Sequence, residues 1–419
     1  MGRITNLHRL IAASGCSNLA DGALQTVMPL VALSVTRDPG AFATVTLVGR
    51  LPWLLVALPA GALTDRLDRR HTMVRVNLVR VALISALAIV VAAGRQELWM
   101  LYLVAFALGV GETLYDTSAQ SIVPSLVPDP RHLERANSRL YAVELTANQF
   151  VGPALGGVVA GLSLMGGVSA SAAAYLLAAL ALTTIVGHYR PATPAAGGRL
   201  RLRTDIADGV RYLAHHPLLR ALAICVGVSN MASTAMFAVF PLYAVAPGPM
   251  GLDGAGFGLL FACLAAGSVV GSFLVDPLVR RLGQRRALLF AMAGSPLLAV
   301  APALTSDALL VAAAFAASGV IVIGWNVVTV SLRQRIVPDH LLGRVNAGYR
   351  LLAWGTMPIG AGLGGVLADR FGLTATFWVS AALGALCIPI ILSQVTTARL
   401  AAAQPTPSHE PATAIVDPR

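Results

Sequence analysis

Leu51-Pro-Trp-Leu-Leu-Val-Ala-Leu-Pro-Ala-Gly61-Ala-Leu-Thr-Asp65-Arg66-Leu-Asp68-Arg69-Arg70 runs from an unbroken apolar stretch straight into a short loop dense in arginine. An apolar run of this length that stops against positive charge is the signature of a helix leaving a bilayer on the side that keeps its cations. The rest of the chain repeats the pattern. Of 419 residues, 56% are hydrophobic and only 12% charged, with a mean hydropathy of +0.74. A soluble chain carries roughly 25% charged residues, so the composition points to a polytopic membrane protein.

Windows of about 20 apolar residues recur twelve times, near 10–35, 43–63, 73–93, 98–120, 140–162, 169–187, 219–243, 256–279, 287–305, 308–330, 349–368 and 374–393. The first is too long for a secretory signal and has Asp21 in its interior, so it is read as a span. The order of motifs repeats at an offset near 210. Ser17-Asn18 answers to Ser229-Asn230, Val127-Pro128-Asp129 to Val337-Pro338-Asp339, and Gly156-Gly157 to Gly364-Gly365. The expected fold is therefore all-α, with twelve transmembrane helices as two parallel six-helix repeats. The expected division is a first bundle over 1–187, a cytoplasmic linker over 188–217, a second bundle over 218–393 and a disordered cytoplasmic tail over 394–419. In the linker, Ile206, Val210 and Leu213 share one helical face, which predicts a short interfacial helix.

All 30 basic residues are arginine; lysine is absent. A Walker A phosphate loop and lysine-dependent covalent chemistry are thereby excluded. With cytoplasmic termini, 24 arginines fall inside, three outside and three within spans, the bias that the positive-inside rule demands. The net charge of +11 thus reads as topology and not as a nucleic-acid surface. Cys16, Cys225, Cys263 and Cys387 sit singly in apolar runs, and no histidine pair has metal-ligand spacing, so neither metal nor disulfide is expected.

Gly61-x-x-x-Asp65-Arg66-x-x-Arg69-Arg70 resembles the loop 2-3 signature of the major facilitator superfamily, departing from it where Asp68 replaces the usual glycine. Gly152-Pro153-Ala-Leu-Gly156-Gly157 resembles the span 5 motif of exporters in the same superfamily, in particular its siderophore-exporter and macrolide-efflux-like branch. The resemblance covers about residues 5–395. It implies a secondary transporter that exports a small, fairly apolar molecule such as a drug, siderophore or secondary metabolite by proton antiport. It also implies alternating access, a bacterial cytoplasmic membrane, a monomer, no cofactor beyond the proton gradient and no enzyme activity. An importer of the same fold and a polytopic membrane transferase are the alternatives. The Asp65 loop would act as a latch, and the glycines and proline of span 5 as a hinge or seal. One departure stands out: the arginine that many proton-coupled exporters carry in span 4 is here Ala105, leaving Arg80 in span 3 as the nearest replacement.

Six ionisable residues lie inside spans of the first half: Asp21, Arg50, Arg80, Glu112, Asp116 and Glu144. Each costs about 2.5–3.5 kcal/mol at a helix centre, so none is expected to face lipid. Glu112 and Asp116 share a helix face at a depth Arg80 can reach. Arg80 is therefore expected to pair with Glu112 or Asp116, leaving Asp21 as an exposed carboxylate for a proton or a cationic substrate. The second-half counterparts of the six do not ionise, so the second half, with Asn230, Asn326, Trp325, Phe237 and Phe240, is expected to shape an apolar substrate wall beside Asn18.

Overall fold

The computed structural model describes residues 2–64, 66–127, 129–187, 189, 198–396 and 399–400. Asp65, most of the early linker and nearly all of the expected tail thus lie outside the described residues. The described chain is almost wholly helical. The first half comprises α1 (Gly2–Leu33), α2 (Pro39–Leu55), α3 (Ala57–Thr64), α4 (Arg69–Ala92), α5 (Leu98–Leu126), α6 (Pro130–Thr146), a π-helical turn (Ala147–Val151), α7 (Gly152–Leu162) and α8 (Leu164–Thr183). After α9 (Gly198–His215), the second half comprises α10 (Pro217–Ala244), α11 (Gly254–Gly294), α12 (Leu297–Leu304), α13 (Ala308–Ile336), α14 (Asp339–Gly355), α15 (Met357–Phe371) and α16 (Leu373–Gln394).

Each of the twelve apolar windows falls mostly on helical backbone. Among the described residues, eight helices are long and apolar enough to cross a membrane, one of them the 51-residue stretch Gly254–Leu304. That stretch is broken at Gly283, whose φ of 80° and ψ of 159° are not helical. Glycine adopts positive φ without the steric cost a side chain would bring, so the arginine-rich turn expected between spans 8 and 9 shrinks to a one-residue break.

Bilayer packing depends on close backbone approach, because lipid supplies no hydrophobic drive between helices. The paired glycines provide it symmetrically. A methyl group at Gly156 would collide with Ala23 of α1, and one at Gly364 with Ala235 of α10, each within its own half. The adjacent glycines face the other half: Gly157 lies against Gly258 of α11, and Gly365 against Ala43 and Gly40 of α2. The two halves are therefore joined along α7 with α11 and α2 with α15. Repeat symmetry extends to the arginine-rich face. Arg70 at the start of α4 donates to the Leu182 and Thr183 carbonyls at the end of α8, while Arg285 donates to Val395 at the end of α16.

The junction is tightest at the face opposite the arginines. There Gly161 meets Ala255 backbone to backbone, and Arg37 donates to the carbonyls of Val245 and Ala246. Nearer the arginine-rich face the described cross-half contacts are made by side chains, among them Leu54 against Gly355 and Trp53 against Trp354, the last with ring centroids 4.4 Å apart.

The linker helix corrects an expectation. In α9, Leu213 is buried with Leu219, Val337 and Val345, and Gly209 lies against the Arg344 backbone. The apolar face thus packs on α14 and the end of α13, because protein surface and not a lipid interface lies beneath it. Ile206's side chain lies outside the described residues. Gly157→Leu is expected to destabilise the folded protein by about 1–3 kcal/mol through overpacking, while Gly324→Leu, which has space around it, should cost less; thermal unfolding of the purified protein in detergent compares them.

Candidate functional site

Asp21 does not stand exposed. Its side chain is 7% accessible, and Arg80, at 1%, reaches it with Nη1 at 3.4 Å from Oδ2. The Tyr175 hydroxyl donates to the other carboxylate oxygen at 2.7 Å. Arg80 also donates to the Ser17 hydroxyl at 3.2 Å, and its guanidinium lies 4.9 Å from the Tyr175 ring centroid. Neither Glu112 nor Asp116 is its ion-pair partner, contrary to the expectation from depth and spacing. The reason is lateral: α1 and α4 both pack on α8, so Asp21 and Arg80 meet at a three-helix junction. Gly111 of α5 completes the niche, since a methyl there would fall 2.6 Å from Arg80 Nε. Arg80 thus enters from span 3 and lodges against span 4.

A second group of polar residues surrounds the π-helical turn. Pro153 lacks the amide that would bond Gln149's carbonyl, and a widened turn just before a proline accommodates that loss. The turn presents Asn148, whose side chain donates to Asn18 Oδ1 at 3.3 Å and to Glu112 Oε1 at 3.5 Å, while Gln25 donates to Asn148 Oδ1 at 2.8 Å. The Trp53 indole N–H reaches Glu112 Oε2 at 3.5 Å. Among the described residues, Glu112, half-buried, is therefore held by two long contacts.

Asp116 and Glu144 are 8% and 7% exposed, and Asp116 Oδ1 and Glu144 Oε1 are buried with no hydrogen-bond partner. Across the junction from them stands Arg350 of α14. It donates to Gln120 Oε1 at 2.7 Å and lies 4.3 Å from the Trp354 ring centroid and 5.8 Å from that of Trp53. Arg350, Trp53, Trp354, Asn148 and Tyr175 were not singled out as site residues from sequence. The signal for Arg350 is an arginine inside an apolar window, but its partners are contributed by the other half and sequence spacing does not pair them.

The remaining candidates scatter. Arg50 is half-buried and forms no ion pair among the described residues. Asn230 donates to the Ala353 carbonyl at 2.8 Å, tying α10 to α14, and Asn326 is half-buried. Phe240 is fully buried amid Phe257, Phe315 and Phe377, so it is packing core and no substrate wall. In the loop motif, Gly61 precedes the exposed Arg66, Arg69 is half-buried with an unpartnered Nε, and Arg70 caps α8 as above. Asp68, at the position where glycine is usual, caps α4 by accepting from the His71 amide at 2.9 Å and also accepts from the Tyr189 amide at 2.8 Å. In span 5, Gly152 lies against Leu19 and Gly22, and the Pro153 carbonyl accepts from Thr26 at 2.9 Å. Together with Gly156 and Gly157 the motif presses α7 onto α1 and α11. Among the described residues no cluster could hold a metal ion.

Membrane-length helices in two packed bundles, with paired and unpaired charges buried among them, form the architecture of a polytopic membrane transporter of the major facilitator type. The chain belongs to the transmembrane secretion effector family, whose sequence pattern matches residues 4–417. It is similar to the multidrug efflux pump Tap of Mycolicibacterium fortuitum, 26% identical over 83% of this chain and 84% of that one. It is also similar to the macrolide efflux protein A of Streptococcus pyogenes, 24% identical over 93% and 95%. Among solved structures, a bacterial homologue of the iron transporter ferroportin in an inward-facing state superposes with a TM-score of 0.71 at 18% identity, covering 94% of this chain and 99% of that one.

Removing one partner of a buried pair strands the other charge, which costs about 3–5 kcal/mol. Arg80→Met is therefore expected to lower stability by that order, and Asp21→Asn/Arg80→Met to recover most of it, measured by unfolding in detergent. At Asp68, partial burial works to raise the carboxyl, but the His71 and Tyr189 amides outweigh it and hold the group below its ordinary value. A depressed carboxyl stabilises above its unfolded pKa and loses that contribution as pH falls through the folded value. Asp68→Ala is expected to cost about 0.5–2 kcal/mol near neutral pH, a difference that should close below about pH 4 in thermal unfolding at the two pH values.

Proposed function

We propose that the chain exports a small, fairly apolar molecule, such as a drug, siderophore or secondary metabolite, by proton antiport with alternating access. In this reading it crosses a bacterial cytoplasmic membrane twelve times as a monomer, with the arginine-rich face and both termini cytoplasmic. It uses no cofactor beyond the proton gradient and binds no nucleic acid. The direction follows the relatives named as efflux proteins and the Gly152-Pro153-x-x-Gly156-Gly157 motif.

The observation that carries the coupling assignment is the pair of buried carboxylates, Asp116 and Glu144, each with an oxygen lacking a partner at the junction of the halves. Ionisable side chains buried in spans without a partner are costly to retain and mark proton pathways. Asp21 is the weaker carrier, since Arg80 and Tyr175 already satisfy it. Proton carriage therefore moves from Asp21, where the sequence placed it, to the two unsatisfied acids. Glu112 and the indoles of Trp53 and Trp354 offer a polar and an aromatic surface for substrate next to them.

The test is transport by the purified protein in proteoliposomes, with ethidium and a macrolide as probes. Asp116→Asn and Glu144→Gln are each expected to lower proton-driven movement about tenfold or more, and Asp21→Asn to lower it less. Transport that persists undiminished with a protonophore present, or that runs only with the proton flux, would overturn the assignment.

A further inference from the structure

Arg350 is a cation inside a span that meets no carboxylate at ion-pair distance among the described residues. Its described partners are a neutral amide oxygen on α5 and two indole rings, one from each half. Meanwhile Asp116 and Glu144, both more than nine-tenths buried, each leave a carboxylate oxygen unpartnered. An unpaired cation on one half and two unpaired acids on the other is an arrangement that a bilayer interior tolerates poorly. Simple exchange of partners would relieve it.

The register permits that exchange. Glu112, Asp116 and Gln120 recur every four residues and share one face of α5, each step about 6 Å along the axis. Gln120 is the rung nearest the arginine-rich face. Arg350 stands 11 residues into α14 from Asp339, and Asp116 stands 10 residues before the end of α5 at Leu126. The two backbones are thus about level, some 15–17 Å from that face, and Arg350 reaches down one rung to find Gln120.

We propose that Arg350 is the positioning residue that couples the two halves: it rests on Gln120 while the arginine-rich side is parted, and swings up to pair with Asp116 and Glu144 as that side closes. Protonation of the two acids removes the attraction and returns Arg350 to Gln120. The charged and titratable groups facing Asp116 are Glu112 and Tyr115 on its own helix, Glu144 on α6, Asp21 on α1, Arg80 on α4 and Arg350 on α14, while Glu144 faces Arg350 and Tyr115. Asp21 is already held by Arg80, and Glu112 by Trp53 and Asn148, so Asp116 and Glu144 are the acids left to take Arg350. Arginine keeps its charge throughout, so the acids alone set the sense of the switch. Low pH favours the state parted at the arginine-rich face, and high pH the state closed there.

The inference rests on the antiport reading and is tested apart from it. Ser138→Cys and Gln334→Cys, both exposed and on opposite halves near the arginine-rich face, carry spin labels in a background lacking Cys16, Cys225, Cys263 and Cys387. Pulsed-resonance distances are measured in nanodiscs at pH 5.5 and 8.5, without a gradient or substrate. The parent should shift its long-to-short distance ratio by about fivefold or more between the two pH values, the range of a coupling free energy of this kind. Arg350→Gln should remove the shift and Arg350→Lys retain its direction. Gln120→Glu, which offers a competing acid one rung away, should hold the long distance at both pH values. A full pH response in Arg350→Gln, a Gln120→Glu profile identical to the parent, or Arg350→Lys failing just as Arg350→Gln does would overturn the proposal, the last by pointing to stacking on the indoles. Export that ignores a protonophore while the distance shift persists would instead overturn the antiport reading and leave the ion-pair exchange supported.

Discussion

Backbone approach at the paired glycines is the constraint on which the remaining architecture rests. In lipid, two helices gain little from burying leucine against leucine, so association depends on how closely main chains can come and on polar groups that satisfy one another. Gly156 and Gly364 set the distance within each half, and Gly157 and Gly365 set it between halves. Because the within-half and between-half glycines are adjacent in sequence, successive residues of one helix turn touch different neighbours. α7 and α15 are thereby fixed relative to both bundles at once. A larger residue at either position would separate the halves and, with them, the polar groups that meet at their junction.

Given that frame, the two halves use equivalent positions in opposite ways. Around Asp21, Arg80 and Tyr175 the first half fills a three-helix junction with a salt bridge and a ring. At the equivalent place the second half has Ser233, Met292 and Gly384. The absent ring leaves a cavity of about 40 Å³ lined by Ser229, Ser233, Met236, Ser295, Ser380 and Gly384, among others. It is large enough for water, which needs about 10–15 Å³. The charged junction ties α1, α4 and α8 through directional contacts; the serine-lined one meets α10, α12 and α16 with smaller side chains. The fold tolerates both because the glycine contacts, not the junctions, hold the bundles together.

What could be read from sequence follows from the same division. Apolar windows, arginine placement and the motif repeat report on each segment's relation to the bilayer, and that relation is local to the segment. They therefore located the helices and the glycine contacts. Ion-pair choice depends instead on which helices are lateral neighbours, a property of helix order around the bundle that periodicity does not encode. Depth arithmetic brought Arg80 level with Glu112 and Asp116, yet its guanidinium turns toward α1 because α8 holds α1 and α4 together. Asp68 is a related case. The loop motif marks it only as a departure, whereas its use as the cap of α4 depends on where the helix begins. Arg350 was passed over since its importance lies in partners contributed by the other half.

The missing lysine acquires its meaning here. A buried lysine can shed its proton, so a lysine in the membrane could neutralise itself and relax an unpaired charge. Arginine does not, and every cation in these spans is an arginine. Arg80 and Arg350 are therefore permanent charges, and the net charge at the junction of the halves can change only at the carboxylates. Arg80 is paired with Asp21. Arg350 is paired with no carboxylate among the described residues, and its described contacts, an amide oxygen and two indole faces, attract a cation without binding it as tightly as a carboxylate would. A fixed positive charge that is weakly held, beside acids whose charge is variable, is the simplest arrangement by which proton uptake on one half can be felt as a force on the other.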